Sequence, residues 1–414
     1  MIVDRQMIVD RKYTLVSLFS GAGGMDLGFK KAGFKILWAN DFFREAVETY
    51  QNNIDKNAVY GDITKIDSSE IPDNPDVIVG GFPCQGFSIA NTKRSMTDSR
   101  NFLYKELLRV IRDKKPKFFV AENVKGLLSM EDGEIIKLII EDFRQLGYKV
   151  DYKVLNAAEY GIPQMRERVI IIGNRIGAEN NFPKVTHYID KAVKGLKKCP
   201  TVKDTIGDLE NIPMSQSPIT INNTTIYNHI AYTNVNDKYI GRTYKVNQGE
   251  LCDYLRKYRQ LRSLSNKKIA EALKEKQSKV DHWFRKDNKS GSIPNCEDYL
   301  KLKNLLKLDS TYDKVLTSYE EKEIKFEQSF RITNWDRPSD TIIATGPEIH
   351  VNKKRRLSVR ECARLQTFPD DFVFCGNLEK MHRQVGNAVP VELAKLIAEE
   401  IVKELDKMGE KGSE

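Results

Sequence analysis

Two reactive side chains follow neighbouring apolar runs in the first third of the sequence. Cys84 lies in the loop GFPCQGFS (81–88), directly after the run Asp76–Gly80, and Glu122 follows the run Lys117–Ala121. A thiolate in a polar loop is a nucleophile, and a nearby carboxyl group can assist it by proton donation. The pair favours covalent catalysis. Each residue alone has a simpler interpretation, since most cysteines are small buried hydrophobes and a glutamate often caps a helix.

Polar side chains alternate where a later apolar run begins. Gln164, Arg166 and Arg168 are spaced two residues apart in QMRER, which leads into the strand-like RVIIIG (168–173). In a strand, this spacing puts all three side chains on one face. Solvated surface is one explanation. Near a thiolate and phosphate groups, the same arginines would hold anions by charge-assisted hydrogen bonds.

A glycine-rich loop, SGAGG (20–24), follows the first apolar run. Its glycines let the backbone turn sharply and approach a ligand closely. Asp26 stands where the third glycine of a dinucleotide-binding loop would fall. This departure disfavours a dinucleotide and favours a nucleoside cofactor that has no pyrophosphate, although a plain strand–helix turn would give the same pattern.

Acidic and aromatic residues follow the next predicted strand. Asp41 is placed to accept hydrogen bonds from ribose hydroxyls, and Phe42 beside it to stack on a purine. Asp62, in GDI, is a third candidate on the same rim. For either aspartate alone, a solvated loop residue or a helix cap is the simpler interpretation.

Short apolar runs alternate with helical patterns through this part of the chain. The alternation predicts βαβ units and a buried, mostly parallel sheet in a doubly wound α/β domain. Ligands bind beyond the carboxyl ends of such strands, where the residues above lie. The predicted strands are Tyr13–Phe19, Lys35–Ala39, Asp76–Gly80, Lys117–Ala121 and Arg168–Gly173, with helices at Arg44–Asn52 and Val391–Met408.

The composition is that of a folded protein of two or three domains. The 414 residues are 40% hydrophobic and 30% charged, which excludes disordered, collagen-like and membrane-embedded classes. The excess of 67 basic over 58 acidic residues, +9, fits a polyanionic partner without establishing one. Six cysteines form no CxxC pair, so no disulfide framework and no metal site are predicted. With no signal segment or apolar span, the expected location is the cytoplasm, away from membranes.

The character of the sequence changes between 176 and 330. This stretch is rich in Lys, Asn, Ser and Thr and poor in long apolar runs. It is predicted to form a second, smaller domain, between a catalytic and cofactor-binding segment (12–175) and a return segment with a C-terminal helix (331–408) that completes the catalytic domain. Two short helices are predicted within it, at Asn266–Leu273 and Gln277–Arg285.

Six motifs occur in an order that resembles one family, the C5-cytosine-specific DNA methyltransferases of bacterial restriction-modification systems. A chance match of all six is negligible, although single motifs would be weak. The resemblance covers residues 13–173 and about 331–405. The motifs are SLFSGAGGMDLGF (17–29), PCQGFS (83–88), ENV (122–124), QMRER (164–168), RECARLQTFP (360–369) and QVGNAVPV (384–391).

The resemblance implies S-adenosyl-L-methionine as the cofactor. It places the cofactor against Phe19, Gly21 and Gly23. The ribose would lie on Asp41, and the adenine against Phe42 with Asp62 at its edge. Asn387 would help to close the pocket.

The resemblance also implies DNA (cytosine-5-)-methyltransferase activity on a flipped-out cytosine in a specific duplex sequence. Cys84 would attack C6, Glu122 would protonate or hydrogen-bond N3, Arg168 would orient the ring and Arg166 would support the loop. The implied partners are double-stranded DNA and, functionally, a cognate restriction endonuclease. The enzyme is expected to act as a monomer.

The middle domain would then recognise the target, and its segment 264–306 resembles a repressor-type helix-turn-helix. Ala270, Leu273, Val280 and Trp283 occupy the core positions. Two such helices can also be mere scaffold; if they read DNA, target recognition is favoured over a separate operator. The side chains suited to major-groove contacts are Gln277, Ser278, Lys279, His282 and Arg285.

Two other functions fit parts of this pattern. An RNA cytosine-5 methyltransferase on the same fold would share the motifs, but the large middle domain argues against it. A catalytically silent DNA-binding regulator would share the helix-turn-helix, but every expected catalytic residue is present.

Overall fold

The computed structural model describes most of the chain. Cys84 and the residues that follow it in the loop lie outside the described residues. The described ranges are 13–83, 103–221, 223–233, 240–243, 246–285, 293–318, 320–323, 331–345 and 347–411.

A seven-stranded sheet lies at the centre of the larger part of the structure. Its strands are β1 (Tyr13–Leu18), β2 (Phe34–Asp41), β3 (Ala58–Tyr60), β4 (Val77–Gly80), β5 (Phe118–Val124), β6 (Lys149–Asn156) and β7 (Glu167–Asn174). Their order across the sheet is β3-β2-β1-β4-β5-β7-β6, and β7 runs antiparallel to both neighbours while the others are parallel. The order reverses between β1 and β4, which creates a switch point for ligand binding. The predicted doubly wound α/β fold is confirmed.

The sheet is buried on both faces because successive side chains of a strand point to opposite sides. Leu15 packs into the core on one face, while Val16 and Leu18 pack into the core on the other. The first core contains residues of α1 (Gly24–Lys31) and α2 (Arg44–Asn53). The second contains residues of α3 (Leu103–Lys114) and α4 (Glu134–Gln145).

The return segment joins the same fold. Short α5 (Val202–Ile206) precedes it, and it contains α11 (Val359–Leu365), α12 (Leu378–Asn387) and α13 (Val391–Lys411). α13 buries Leu393, Ile397, Ile401 and Leu405, as its i, i+4 spacing predicts. It lies so close to α1 that a Cβ on Gly28 would be 2.5 Å from the Cβ of Ala394. Tyr13 Oη also donates to Asp406 Oδ1 at 2.7 Å, so α13 is anchored to the first strand.

The described residues divide into two compact units. The first, here the sheet unit, lies within Met1–Val235 and Arg331–Glu414; the second, here the helical unit, lies within Asn236–Phe330. The second compact unit therefore begins at Asn236, 60 residues after position 176, where the second domain was predicted to begin. The reason is that Val202 and Ile206 of α5 are buried in the core of the sheet unit. The functional boundary of target recognition stays a prediction.

The helical unit has its own apolar core. Residues from its helices meet in one cluster that includes Leu255, Ile269, Trp283, Tyr299 and Leu316. Its helices are α6 (Gln248–Leu261), α7 (Asn266–Leu273), α8 (Gln277–Trp283), α9 (Cys296–Leu306) and α10 (Asp313–Thr317). Strand Ile240–Thr243 pairs with Glu320–Glu323; in the sheet unit the small pairs are His187–Tyr188 with Lys197–Lys198 and Ile219–Ile221 with Thr224–Ile226. None of the described helices combines the length and apolar character needed to cross a membrane.

Candidate active site

A cavity of about 330 Å³ opens at the carboxyl ends of β1, β2, β4 and β5, at the switch point of the sheet. Its wall is formed by residues from the loops after these strands and from the return segment. Eight of the residues singled out from the sequence line it: Phe19, Gly21, Asp41, Phe42, Glu122, Arg166, Arg168 and Asn387. Strand ends that are far apart in the sequence thus bring their polar side chains to one place.

The loop after β1 has an unusual backbone. Phe19 and Gly21 both have a φ of 55°, in the left-handed region that a non-glycine residue such as phenylalanine rarely adopts. Gly23, with φ 89°, precedes α1 and does not line the cavity. A Cβ there would fall 2.1 Å from Ile54 Cδ1. Because glycine has no side chain, the loop can pack closely on α2 and on Ile54, which directly follows it.

Asp41 holds this loop against the end of β2. Its Oδ2 accepts from the backbone N–H of Gly21 at 2.9 Å, and its Oδ1 accepts from that of Phe43 at 2.8 Å. Burial raises the pKa of the Asp41 carboxyl, while these hydrogen bonds and the charge of Arg383 act in the opposite direction. Phe42 next to it is 62% exposed and presents an uncovered ring at the cavity.

Asp62 occupies a different environment. It does not line the cavity, and its Oδ1 accepts from the backbone N–H of Thr64 at 3.1 Å and from its hydroxyl at 2.8 Å. The carboxylate therefore caps the short 3-10 turn Ile63–Lys65. A contact with a cofactor at the rim stays a prediction for this residue.

Glu122 and Arg168 form an ion pair on the cavity wall. Arg168 Nε lies 2.8 Å from Glu122 Oε1, and both side chains are largely buried. The antiparallel course of β7 explains the contact: Arg168 at the start of β7 pairs in register with Val124 at the end of β5. A parallel β7 would have put Arg168 at the opposite edge of the sheet from Glu122.

Arg166 connects the cavity wall to the return segment. Its side chain is 1% exposed, and its Nη1 and Nη2 donate to the backbone carbonyls of Ile342 and Gly386, each at 3.0 Å. Burial lowers the pKa of the Arg166 guanidinium well below its usual range, and the positive charge of Arg168 adds to this. Its two terminal nitrogens thus bind the main chain of the return segment, while its Nε is buried without a hydrogen-bond partner among the described residues.

The loop that leads to Cys84 enters the cavity before it leaves the described residues. Gly81, Phe82 and Pro83 all line the cavity, and Pro83 directly precedes Cys84 in the sequence. The Asn123 side chain donates from Nδ2 to the carbonyl of Phe82 at 3.0 Å, which fixes this loop to the end of β5. The position of the Cys84 thiol itself lies outside the described residues.

Arg383 is a cavity residue that the motif search missed. It lies one residue before QVGNAVPV, on α12, with its guanidinium carbon 4.8 Å from the centroid of the Phe43 ring. The signal that could have found it is its positive charge directly before this motif. Asn387, the last residue of α12, is exposed and lines the same cavity.

The predicted DNA-reading residues belong to the helical unit, on or beside α8. Gln277, Ser278 and Arg285 are exposed and His282 is half-buried. Lys279 is already paired: its Nζ lies 3.1 Å from Glu275 Oε1 and 3.1 Å from Asp298 Oδ2. The structure thus gives Lys279 a different environment from its exposed neighbours.

Comparison with known proteins places this arrangement in a family. The C-5 cytosine-specific DNA methylase family matches residues 13–403. Type II methyltransferase M.NgoFVII of Neisseria gonorrhoeae is 36% identical over 93% of this chain and 86% of its own length. Type II methyltransferase M.FnuDI of Fusobacterium nucleatum is 33% identical over 94% of this chain and 93% of its own.

Solved structures agree at the level of the fold. A protein described as a DNA modification methyltransferase encoded within an E. coli prophage superposes with a TM-score of 0.58 at 21% identity, covering 95% of this chain and 100% of that one. The family match and the curated relatives show that the chain is a methyltransferase. This chain belongs to the C-5 cytosine-specific DNA methylase family and is a DNA (cytosine-5-)-methyltransferase.

Proposed function

We propose that the chain transfers a methyl group from S-adenosyl-L-methionine to C5 of a cytosine that is extruded from duplex DNA, through a covalent bond to Cys84. The observation that carries this proposal is the convergence of eight predicted residues on one cavity. An extruded base is required because the ring carbons cannot be reached inside the stacked duplex.

The cavity has the donors, acceptors and apolar surface that a nucleoside cofactor needs. Each Asp41 oxygen accepts one backbone N–H and keeps a lone pair for a ribose hydroxyl. The open ring of Phe42 would cover the adenine, and the loop Phe19–Gly23 would pass beside the cofactor, with Asn387 opposite. Asp62 would contact the adenine edge. When bound, the sulfonium of this cofactor supplies an electrophilic methyl group.

The protein's own residues would activate the cytosine. The Cys84 thiolate adds to C6, and Glu122 donates a proton or hydrogen bond to N3, so that negative charge does not accumulate on the ring. C5 then becomes nucleophilic and takes the methyl group. Loss of the C5 proton to water, return of any N3 proton to Glu122 and breakage of the Cys84–C6 bond restore the aromatic ring, the Glu122 carboxyl group and the free thiolate.

The two arginines would have separate roles. Arg168 lies against Glu122 at 2.8 Å, so it would orient the carboxyl group and the ring beside it. Arg166 would keep the return segment in place through the carbonyls of Ile342 and Gly386. In this proposal Arg168 contacts the reacting base, and Arg166 acts through the backbone of the return segment.

Trapping by a fluorinated substrate tests the covalent step. Duplex DNA with 5-fluorocytosine at the target position cannot lose its C5 substituent, so the wild-type protein should remain crosslinked in the presence of cofactor. Cys84→Ser should bind the duplex but form no crosslink and transfer no methyl group. Cys375→Ser, which changes a partly buried cysteine elsewhere, is the matched control and should crosslink like wild type. A crosslink in Cys84→Ser, or none in wild type on its correct site, would contradict the proposal.

We further propose that the modified duplex is protected from a cognate restriction endonuclease. The Type II methyltransferase relatives, matched over nearly their whole length, support this role. Bisulfite sequencing of plasmid DNA from expressing cells would identify the site, and an endonuclease that cuts this site should then fail on the same plasmid. Equal labelling of transfer RNA by radioactive cofactor would instead favour an RNA substrate.

A further inference from the structure

One acidic side chain beside the cavity has no role in the proposed reaction. Asp26 lies in the first turn of α1, directly after Gly24 and Met25, which both line the cavity. Its side chain is completely buried, and neither carboxyl oxygen has a hydrogen-bond partner among the described residues. A buried carboxyl group without partners is costly to keep in a fold, so Asp26 requires an explanation beyond packing.

The usual role of an acidic residue in the first turn of a helix does not apply to Asp26. Such a residue caps the helix by accepting a hydrogen bond from a free backbone N–H. Here the N–H of Gly23, the residue before α1, already donates to the carbonyl of Ser20 at 2.9 Å. The positive end of the helix dipole still favours a negative charge at this position, whereas burial opposes it.

Two hydroxyl groups form the polar surroundings of Asp26. Ser17 of β1 and Tyr50 of α2 lie near it, without hydrogen bonds of normal geometry to its oxygens. The Tyr50 hydroxyl is itself buried with no hydrogen-bond partner in the described part of the chain. Burial raises the pKa of Asp26 to about 7, and the two hydroxyl groups act in the opposite direction. The three side chains form a buried polar cluster, called the Asp26 cluster below.

Charged groups face the Asp26 cluster from neighbouring elements. Asp41, at the end of β2, raises the pKa of Asp26 by its negative charge, and the positive charge of Arg383 on α12 acts on Asp41. Asp55, which follows α2, acts on Tyr50 in the same sense as Asp41 on Asp26. The nearby charge that acts on Asp26 is therefore negative, so a positive charge entering the cavity would be favoured by its ionised form.

The Asp26 cluster adjoins the wall of the cavity. Ser17 lines the cavity, as does Asp41. A Cβ on Gly23 would fall 2.8 Å from Tyr50 Cδ2, so the Tyr50 ring packs directly against the glycine-rich loop. A charge that enters the cavity therefore acts on Asp26 through surroundings that exclude water, where interactions between charges are stronger than in solution.

The proposed cofactor and its product differ in charge. S-adenosyl-L-methionine has a carboxylate, an ammonium and a sulfonium group, which leave one net positive charge near neutral pH. After methyl transfer the sulfonium is an uncharged thioether, and the product S-adenosyl-L-homocysteine has no net charge. A buried group that can gain or lose a proton beside the cavity would respond differently to the two molecules.

We propose that Asp26 distinguishes cofactor from product by charge: it loses its proton to solvent when the cationic cofactor enters the cavity and regains one from solvent when the neutral product has formed. The carboxylate compensates the sulfonium charge and strengthens cofactor binding. The product lacks this interaction, which favours its replacement by new cofactor. Asp26 is thus a positioning residue that acts on the cofactor by its charge. The inference rests on the proposed function for the identity of the cofactor.

Isothermal titration calorimetry of the full-length protein tests this without DNA and without turnover. Each ligand is titrated at pH 7 in two buffers of different ionisation enthalpy, which gives the number of protons released on binding. Asp26→Asn is measured in the same way, so that ionisation of the ligands themselves cancels. With the cofactor, the wild type should release up to about half a proton more than the variant, because a group with a pKa of about 7 is half protonated at this pH. With the product, the two proteins should agree, and equal proton release with the cofactor would overturn the inference.

The affinity for the cofactor should depend on pH through the same group. In the wild type the dissociation constant should fall as the pH rises to about 7 and then level off, because the ionised form above this pH binds without losing a proton. Asp26→Asn should remove this dependence and weaken cofactor binding about tenfold at pH 8, with product affinity changed less than about twofold. Glu48→Gln, which removes an exposed carboxylate from α2, is the matched control and should keep the wild-type profile.

Tyr50→Phe provides a second test that leaves Asp26 in place. The Tyr50 hydroxyl acts to lower the pKa of Asp26, so its removal should move the pH dependence of cofactor affinity to higher pH. A merely structural role of the Asp26 cluster would weaken both ligands equally at every pH. If Asp26→Asn unfolds, Tyr50→Phe decides by the same measurements, and an unshifted profile would overturn the inference.

The outcome is separable from that of the proposed function. A protein that forms the Cys84 crosslink but shows no proton release from Asp26 would refute the inference and uphold the proposed reaction. A protein that releases the proton but never forms the crosslink would do the reverse. A protein that binds no S-adenosyl-L-methionine would refute both.

Discussion

The cavity and the exposed face of α7 and α8 use charge in opposite ways. In the cavity, Arg166 is buried and its two terminal nitrogens donate to carbonyls, while Glu122 and Arg168 neutralise each other. On or beside α7 and α8, five exposed cations have no acidic partner among the described residues: Lys267, Lys268, Lys274, Lys276 and Arg285. The Glu122–Arg168 pair and the two Arg166 hydrogen bonds hold a fixed geometry, which chemistry requires, although Arg166 Nε has no hydrogen-bond partner among the described residues. Exposed, unpaired charges are available to interact with a partner molecule. Substitutions should therefore damage folding or catalysis at the cavity and leave the stability nearly unchanged at the exposed cations of α7 and α8.

The largest expected effect tests the buried side of this comparison. Arg166→Ala leaves the carbonyls of Ile342 and Gly386 without their donors and opens a void where a fully buried side chain was. We expect the free energy of unfolding to fall by about 4 kcal/mol, measured by urea denaturation. Lys153→Ala, on the exposed side of β6, should change it by less than about 0.5 kcal/mol. Equal stability of the two variants would show that Arg166 does not anchor the return segment.

The next effect concerns catalysis without unfolding. Glu122→Gln keeps the size of the side chain and a hydrogen-bonding oxygen near Arg168, but it removes the acidic proton and the charge of the pair. We expect the single-turnover rate of methyl transfer to fall about 100-fold or more, because removal of one group that stabilises charge in a transition state typically has an effect of this size. DNA affinity should change little. A variant with the wild-type rate would exclude Glu122 from the reaction.

The smallest expected effect distinguishes the paired Lys279 from the exposed cations of the helical unit. Lys279→Met leaves the buried Asp298 carboxylate without its cation, so we expect a loss of about 1–2 kcal/mol in the free energy of unfolding. The salt dependence of DNA binding should stay as in wild type, because the Lys279 ammonium does not face outward. A lower salt slope with unchanged stability would instead return Lys279 to the DNA-reading set.

Much of the cavity was predictable because its residues stand at strand ends in recognisable motifs. Parallel strands bring their carboxyl ends to one edge of the sheet, so Asp41 and Glu122 could be placed there from the sequence. The contact of Arg168 with Glu122 could not, because it depends on the reversed direction of β7, which an apolar run such as RVIIIG does not encode. Arg383 was missed because it lies just outside its motif.

Other features could not be predicted, because the sequence pattern does not contain the physical reasons for them. β6 was not predicted because, at the edge of the sheet, it alternates charged residues with apolar ones and has no continuous apolar run. Lys279 was assigned to the exposed set from helical spacing, yet the acidic side chains on either side of it attract it inward. In the helical unit the bounds of α7 were predicted, and α8 ends at Trp283 rather than at the predicted Arg285. The helices α6, α9 and α10 were not predicted.

The attachment of α13 to α1 has a consequence for how the enzyme is made. Six residues between 383 and 389 line the cavity directly before α13 begins, and the ribosome synthesises them long after the sheet. A nascent chain can therefore fold its strands while its pocket is still open on one side. Methyl-transfer competence should therefore appear only after this segment and α13 have been synthesised, so that translation itself delays the first modification event.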